Sequence, residues 1–291
     1  MRAIVALLAG SLLSACSQLF FYPDHVMVDT PEGLGLNYVP MELAATDGTV
    51  LSAWYFPAKG TPMASVLYLH GNSRNMSAYL RNFAWLPQAG FNVLALDYRG
   101  YGASEGLPSL DGVQLDVDAG MRALLSMPGV DPERVVVFGQ SLGGALAIYY
   151  VAHSAYRGHV RAVIADSPFA DYQLIARDKV AAVPLGKPLR WLSAYLVDNE
   201  YSPRDSVAAL SPIPLLLIHG ERDTVVAPYH SKLLFETAQQ PKDFWSIPEA
   251  GHIQALRDRA LRKKLTEFLL ESLDRAQAVA PVALHRRDVS P

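Results

Sequence analysis

A single serine stands where a short stretch changes character. Residues 134–144 read R-V-V-V-F-G-Q-S-L-G-G. The β-branched run at 135–137, with Phe138, predicts a buried strand, and the apolar run at 145–151 predicts a helix. Between them Gly139, Gln140, Ser141, Leu142 and Gly143 make a G-x-S-x-G pattern. A strand that turns directly into a helix holds a serine at its apex with the hydroxyl pushed outward. Glycines on either side let the two backbones approach, because a Cβ there would collide. A serine so placed is suited to attack a carbonyl carbon. Its hydroxyl is a weak nucleophile at neutral pH, so a base must take the proton and a carboxylate must orient the base. The bare pattern also fits an ordinary glycine-rich turn, so the partners must come from the rest of the chain.

The elements that would position such partners alternate along the sequence. Strands are expected at 41–46 and 50–56, joined by a hairpin turn at Asp47-Gly48. A strand at 64–69 runs into His70-Gly71-Asn72-Ser73, and helical spacing follows at 76–86. The strand at 91–96 ends in the loop D-Y-R-G-Y-G-A-S, Asp97 to Ser104, before a helix at 113–125. The strand at 160–165 stops at Asp166-Ser167-Pro168. A strand at 213–218 leads to H-G-E-R-D, His219 to Asp223, then a helix at 230–237. A short strand at 244–247 leads to Gly251-His252, and a long amphipathic helix follows at 256–273. This alternation predicts an α/β fold with a mostly parallel central sheet and helices on both faces. Such sheets hold their ligands at the carboxyl ends of the strands, where His70, Asp97, Ser141 and Asp166 all fall. Residues 169–210, with Pro184, Pro188 and Pro203, interrupt the alternation and predict a small helical cap with an amphipathic piece at 189–197.

In a parallel sheet with this serine turn, the reactive groups come in the chain order serine, acid, histidine. Ser141, Asp223 and His252 have that order. Glu221 and Asp166 stand as alternative acids. His252 competes with His25, His153, His159, His219, His230 and His285, but only His252 follows a strand after the acid and precedes the last helix. His70 is expected to orient its own loop, and Asp97 and Arg99 to brace the glycine loop; Tyr98 and Tyr101 belong either to a pocket or to the core. No Walker-type or dinucleotide fingerprint is present, and His70 and His219 offer no metal-ligand set, so neither a metal nor a cofactor is expected. A net charge of −3 gives no electrostatic case for nucleic acid.

Taken together, H-G-N-S at His70 to Ser73, D-Y-R-G-Y-G-A-S, G-Q-S-L-G-G at Gly139 to Gly144, H-G-E-R-D and the Gly251-His252 pair resemble the α/β-hydrolases of the serine type. Within them the chain is similar to the small hydrolases grouped around a yeast bud-emergence protein, akin to serine aminopeptidase-type hydrolases. The resemblance spans about residues 22–273. It implies Ser141 as nucleophile, Asp223 as acid and His252 as base. It also implies an oxyanion hole from the backbone N–H groups of Leu142 and Asn72. The reaction implied is cleavage of an ester, thioester or amide through an acyl-enzyme, on a small-molecule or acylated substrate. The rival reading is a non-catalytic protein that keeps the fold as a binding or scaffold module; loss of a triad residue would favour it, and all three are present.

The N-terminus carries a different message. Met1-Arg2 and the apolar run at 3–13 read as a signal peptide too short to span a bilayer. Leu13-Ser14-Ala15-Cys16 resembles the lipobox of bacterial lipoproteins, in which the cysteine is acylated. The only cysteine of the chain stands there, and a lone cysteine excludes an intrachain disulfide. The expected organisation is a signal peptide at 1–15, a hydrolase domain at 16–274 with its cap at 169–210, and a flexible tail at 275–291. The resemblance implies a bacterial cell-envelope location with a lipid anchor at Cys16. Ser17 stands where an inner-membrane retention signal often has aspartate, which favours the outer membrane.

Overall fold

The computed structural model describes residues 21–183 and 186–279. The signal-peptide and lipobox readings, including Cys16, lie outside the described residues. Ten strands are present among those residues: β1 Tyr22–Pro23, β2 Val39–Ala44, β3 Val50–Phe56, β4 Ala64–Leu69, β5 Ser73–Arg74, β6 Phe91–Leu96, β7 Val135–Gln140, β8 Val160–Asp166, β9 Leu215–Gly220 and β10 Lys242–Ile247. The α-helices are α1 Met76–Phe83, α2 Trp85–Gln88, α3 Leu110–Ser126, α4 Leu142–His153, α5 Tyr172–Ala182, α6 Ser193–Leu196, α7 Pro203–Ser206, α8 Tyr229–Thr237 and α9 Arg259–Val279.

Eight strands form one sheet in the order β10-β9-β8-β7-β4-β6-β3-β2. Neighbours from β6 to β10 pair in parallel, while β3 runs antiparallel to both β6 and β2. The central strands are apolar at nearly every position because both faces are covered. Leu67, Leu69, Val135, Val137, Leu215 and Leu217 join one cluster with Val113, Val117 and Met121 of α3 and Leu146 of α4. Their alternating neighbours Val66, Tyr68, Val136, Phe138, Leu216 and Ile218 join the other, with Leu80 and Phe83 of α1 and Leu265 and Leu269 of α9. This is the mostly parallel sheet with helices on both faces expected from the alternation.

Departures from expectation have local causes. β9 begins at Leu215 rather than 213, after Pro214, which has no N–H to give to a ladder. Residues 255–257 form a separate 3₁₀ turn, and α9 starts only after Asp258, whose carboxylate accepts from the Ala260 N–H at 2.7 Å as a cap. α9 then continues through Val279, into the stretch expected as tail. The interruption at 169–210 is helical, but its main helix is α5, capped by Asp171 accepting from the Leu174 N–H at 2.6 Å. The expected helix at 189–197 is instead a 3₁₀ stretch, Lys187–Leu192, followed by the single turn of α6. Among the described residues no helix is long and apolar enough to cross a membrane.

Candidate active site

Ser141 joins β7 to α4 with φ 54° and ψ −117°, a left-handed conformation that non-glycine residues rarely adopt. Its backbone N–H donates to the Asp166 carbonyl at 2.8 Å, which ties the turn to the end of β8. The flanking glycines are required by contact. A Cβ on Gly139 would lie 2.0 Å from the Gly143 carbonyl oxygen. A Cβ on Gly143 would lie 2.1 Å from the Leu69 oxygen. The side chain at 141 is thus presented by a turn with no slack in it.

Asp223 and His252 follow β9 and β10, the outer two strands of the run β7-β8-β9-β10. His252 Nδ1 lies 2.7 Å from Asp223 Oδ2. Asp223 Oδ1 accepts from the backbone N–H groups of Val225 at 2.8 Å and Val226 at 2.9 Å. His219, fully buried, brings its Nε2 to 3.2 Å from Asp223 Oδ2 and 2.9 Å from the Val226 carbonyl. Both neighbours are acceptors, so His219 carries its proton on Nε2 and its Nδ1 accepts from Ser231 Oγ at 2.6 Å. Burial alone would push the Asp223 carboxyl up. The hydrogen bonds from His219, His252 and the Val226 N–H outweigh it and hold Asp223 well below the usual carboxylate range, and a positive charge on His252, once it is protonated, deepens the hold. An ionised Asp223 can only accept, so His252 donates from Nδ1 and keeps the lone pair of Nε2 for a proton.

The loops of Ser141 and His252 meet through Ser167. Ser167 also has a positive φ, 56°, and its Oγ accepts from the Ile253 N–H at 3.2 Å. The same hydroxyl lies 3.1 Å from Asp166 Oδ1. One pair of residues at the end of β8 therefore holds the serine turn by a carbonyl and the histidine loop by a hydroxyl. The sequence reading missed this role of Ser167, and only the pairing of strands could have revealed it. The role of His219 had a signal, its spacing of four from Asp223 in H-G-E-R-D.

The other candidate acids are engaged elsewhere. Asp166 is fully buried and accepts from Gln140 Nε2 at 2.8 Å; burial raises its carboxyl, opposed by that hydrogen bond. Glu221 is exposed and accepts from Ser246 Oγ at 2.8 Å. Leu142 opens α4, so its N–H has no acceptor within the helix. Asn72 is fixed by its side chain, whose Oδ1 accepts from the Tyr22 N–H at 3.1 Å and from Tyr101 Oη at 2.9 Å. His70 is buried against Tyr98, with ring centroids 4.3 Å apart, and its Nε2 lies 3.3 Å from Asp97 Oδ1. Arg99 forks onto the buried Asp116 and reaches Asp47 at 2.8 Å, so it braces the glycine loop. Tyr98 and Tyr101 are both fully buried. α5 touches the acid's loop directly, since Lys179 Nζ donates to the Val225 carbonyl at 2.7 Å. Among the described residues no group of three His, Cys, Asp or Glu side chains could hold a metal ion.

Comparison with known proteins points one way. The family profile described as serine aminopeptidase, S33, matches residues 60–209. Protein YfhR of Escherichia coli (strain K12) is 38% identical over 262 residues, covering 88% of this chain and 87% of its own. Protein bem46 of Schizosaccharomyces pombe is 28% identical, over 92% of this chain and 90% of its own. Among solved structures, the Pyrococcus furiosus esterase Pf2001 superposes with a TM-score of 0.68 at 25% identity, over 87% of this chain and 98% of its own. Acetyl xylan esterase 1 from Thermoanaerobacterium shares the fold with a TM-score of 0.65 at 19% identity, over 90% of this chain and 93% of its own.

Proposed function

The chain belongs to the serine aminopeptidase, S33, family of α/β-hydrolases, and on that premise we propose that it hydrolyses acyl bonds through Ser141, His252 and Asp223. The observation that carries the proposal is the Asp223–His252 hydrogen bond of 2.7 Å, on a carboxylate already held by His219 and two backbone N–H groups. In the reaction Ser141 Oγ attacks the acyl carbon while His252 Nε2 takes its proton. Asp223 stabilises the imidazolium and keeps its orientation. The oxyanion is met by the N–H groups of Leu142 and Asn72, each worth about 10²–10³ in rate. The tetrahedral species then collapses, and His252 returns the proton to the departing oxygen, sulfur or nitrogen. Water activated by His252 attacks the acyl-Ser141 and releases the acid. The likeness to Pf2001, an esterase, supports an ester as the first bond to test. The helical segment 169–210 rests on the acid's loop through Lys179 and is suited to select the acyl group.

The same proposal includes the anchor. A lipid on Cys16 would hold the enzyme at the bacterial envelope, with the outer membrane favoured by Ser17, since residues 1–15 cannot span a bilayer. Reaction with a fluorophosphonate probe tests the enzymatic reading. The wild-type chain is expected to label, and Ser141→Ala and His252→Ala are expected not to. A folded wild-type chain that stays unlabelled would favour the non-catalytic binding module instead.

A further inference from the structure

A groove lined with arginine borders the loops that carry Ser141, His252 and Asn72. It consists of two adjoining cavities of about 310 Å³ and about 280 Å³ that share Ala78, Asn82, Ile253 and Arg257 as walls. Gln140, the residue before Ser141, closes one side, and Ile253, the residue after His252, closes another. Ser73 and Arg74, which follow Asn72, close a third. Four guanidinium groups line it: Arg74, Arg81, Arg257 and Arg262; no acidic side chain does.

Two of the four are already engaged. Arg81 forks onto Asp29 at 2.8 and 2.9 Å. Arg262 donates to the Leu256 carbonyl at 2.6 Å and lies over the Trp85 ring at 5.7 Å. Arg74 and Arg257 have no acidic partner within ion-pair distance among the described residues. The Arg74 backbone has φ 69°, in the left-handed region. The pairing of β5 with β1 fixes that conformation, and Asn75 next to it donates to the carbonyls of Asp24 and Val26 at 2.9 Å. The backbone of Arg74 is thus fixed at the edge of the groove, and its exposed side chain forms part of the wall.

We infer that this groove binds an anionic phosphate group of the substrate, so that the hydrolase prefers acyl esters carrying a phosphate near the scissile bond. The inference rests on the serine-hydrolase reading above and names its substrate class. Two guanidinium groups without an acidic partner carry two positive charges, which a single carboxylate would half neutralise, whereas a phosphate monoester matches them in charge and offers three terminal oxygens to both forks. The larger cavity also has the volume of a small-ligand site. The phosphate could belong to a lipid headgroup or to a soluble ester.

The test compares 1-acylglycerol 3-phosphate with the matching 1-monoacylglycerol, each with butanoyl and dodecanoyl chains, on the full-length protein. The phosphate esters are expected to have kcat/KM roughly 10- to 100-fold above the neutral ones, the value of a hydrogen bond to a charged group. Arg257→Gln and Arg74→Gln are each expected to shrink that ratio, mainly through KM. A preference seen with both chain lengths assigns a soluble ester; one confined to dodecanoyl assigns a lipid. Both support the groove. Equal turnover of phosphate and neutral esters, with fluorophosphonate labelling intact, would overturn the groove and leave the hydrolase standing. If no ester is cleaved and no probe reacts, the hydrolase reading fails. Binding of glycerol 3-phosphate to Ser141→Ala by calorimetry then decides the groove by itself. Binding that weakens in the two arginine variants supports an anion site, and binding no tighter than that of glycerol overturns it.

Discussion

Replacement of Gly143 by alanine tests the serine turn where it is tightest. The added Cβ would stand 2.1 Å from the Leu69 carbonyl oxygen and 2.6 Å from that of His70. Both obstacles are backbone at the end of β4, a central strand paired on both sides, so neither can swing away as a side chain would. Overpacking of this kind costs about 1–3 kcal/mol and occasionally more, and a clash with fixed backbone belongs at the upper end, about 3 kcal/mol. Gly144 supplies the control one residue on. There the new Cβ would meet the Gly139 oxygen and Pro168 Cβ at 3.2 Å and Ala165 Cβ at 3.3 Å, which a few tenths of an ångström relieve. Alanine also gains roughly 0.8–1.0 kcal/mol of helix propensity over glycine, so Gly144→Ala should stay within about 1 kcal/mol of wild type. Urea unfolding followed by far-UV circular dichroism measures both. At a typical slope of about 1–3 kcal/mol/M, Gly143→Ala should lower the midpoint by about 1 M or more, with the slope unchanged. Its reaction with a fluorophosphonate should slow as well, because the turn that aims Ser141 must open. A Gly143→Ala protein as stable and as reactive as wild type would refute the account of the turn.

Three further outcomes are expected. Asp223→Asn should lower kcat by about 10⁴, because an amide can donate to His252 and favour the wrong tautomer; Glu221→Gln should change it little, since that carboxylate faces Ser246. Acid should destabilise the fold through His230, whose pKa burial lowers from 6.5 to about 4, against the pull of Asp178. The unfolded chain binds that proton first, so this stability is complete above about pH 6.5 and is lost as pH falls toward 4; at about 1.36 kcal/mol per pH unit it amounts to on the order of 3 kcal/mol. Urea midpoints at pH 7 and pH 4.5 should therefore differ more in wild type than in His230→Gln. Cys16→Ser should abolish incorporation of a fatty-acid analogue and release the protein from membranes; an unlabelled, soluble wild type would contradict the anchor.

The sheet was legible because its strands are continuous apolar runs closed by turn residues. β4 and β6 coincide with the expected 64–69 and 91–96, since every residue in them is buried; the one polar residue of each, Ser65 and Asn92, is satisfied by the other at 3.1 Å. α5 escaped notice for the opposite reason. Among its side chains only Tyr172 and Ile175 are buried, so it has no apolar stripe, and Asp171 as a cap was the one sequence signal available. The stretch 189–197 had apolar spacing but belongs to a 3₁₀ piece that ends at Leu192 and a single α-helical turn that begins at Ser193. At the site, the chain order of Ser141, Asp223 and His252 could be read from spacing and context. The ties that align them could not. Ser167 reaches Ile253 across 86 residues, and His219 reaches Ser231 across 12. Such contacts follow from which strands are neighbours in the sheet rather than from any local pattern.

The acyl-enzyme itself is the most direct measurement of the central claim. The protein is mixed with a p-nitrophenyl ester, quenched in acid within its first turnovers, digested and weighed by mass spectrometry. The mass of one acyl group is predicted on the peptide that contains Ser141, absent in Ser141→Ala and persisting longer in His252→Ala if any forms. Ester hydrolysis with no acyl adduct on Ser141, or with the adduct on another side chain, would contradict the account.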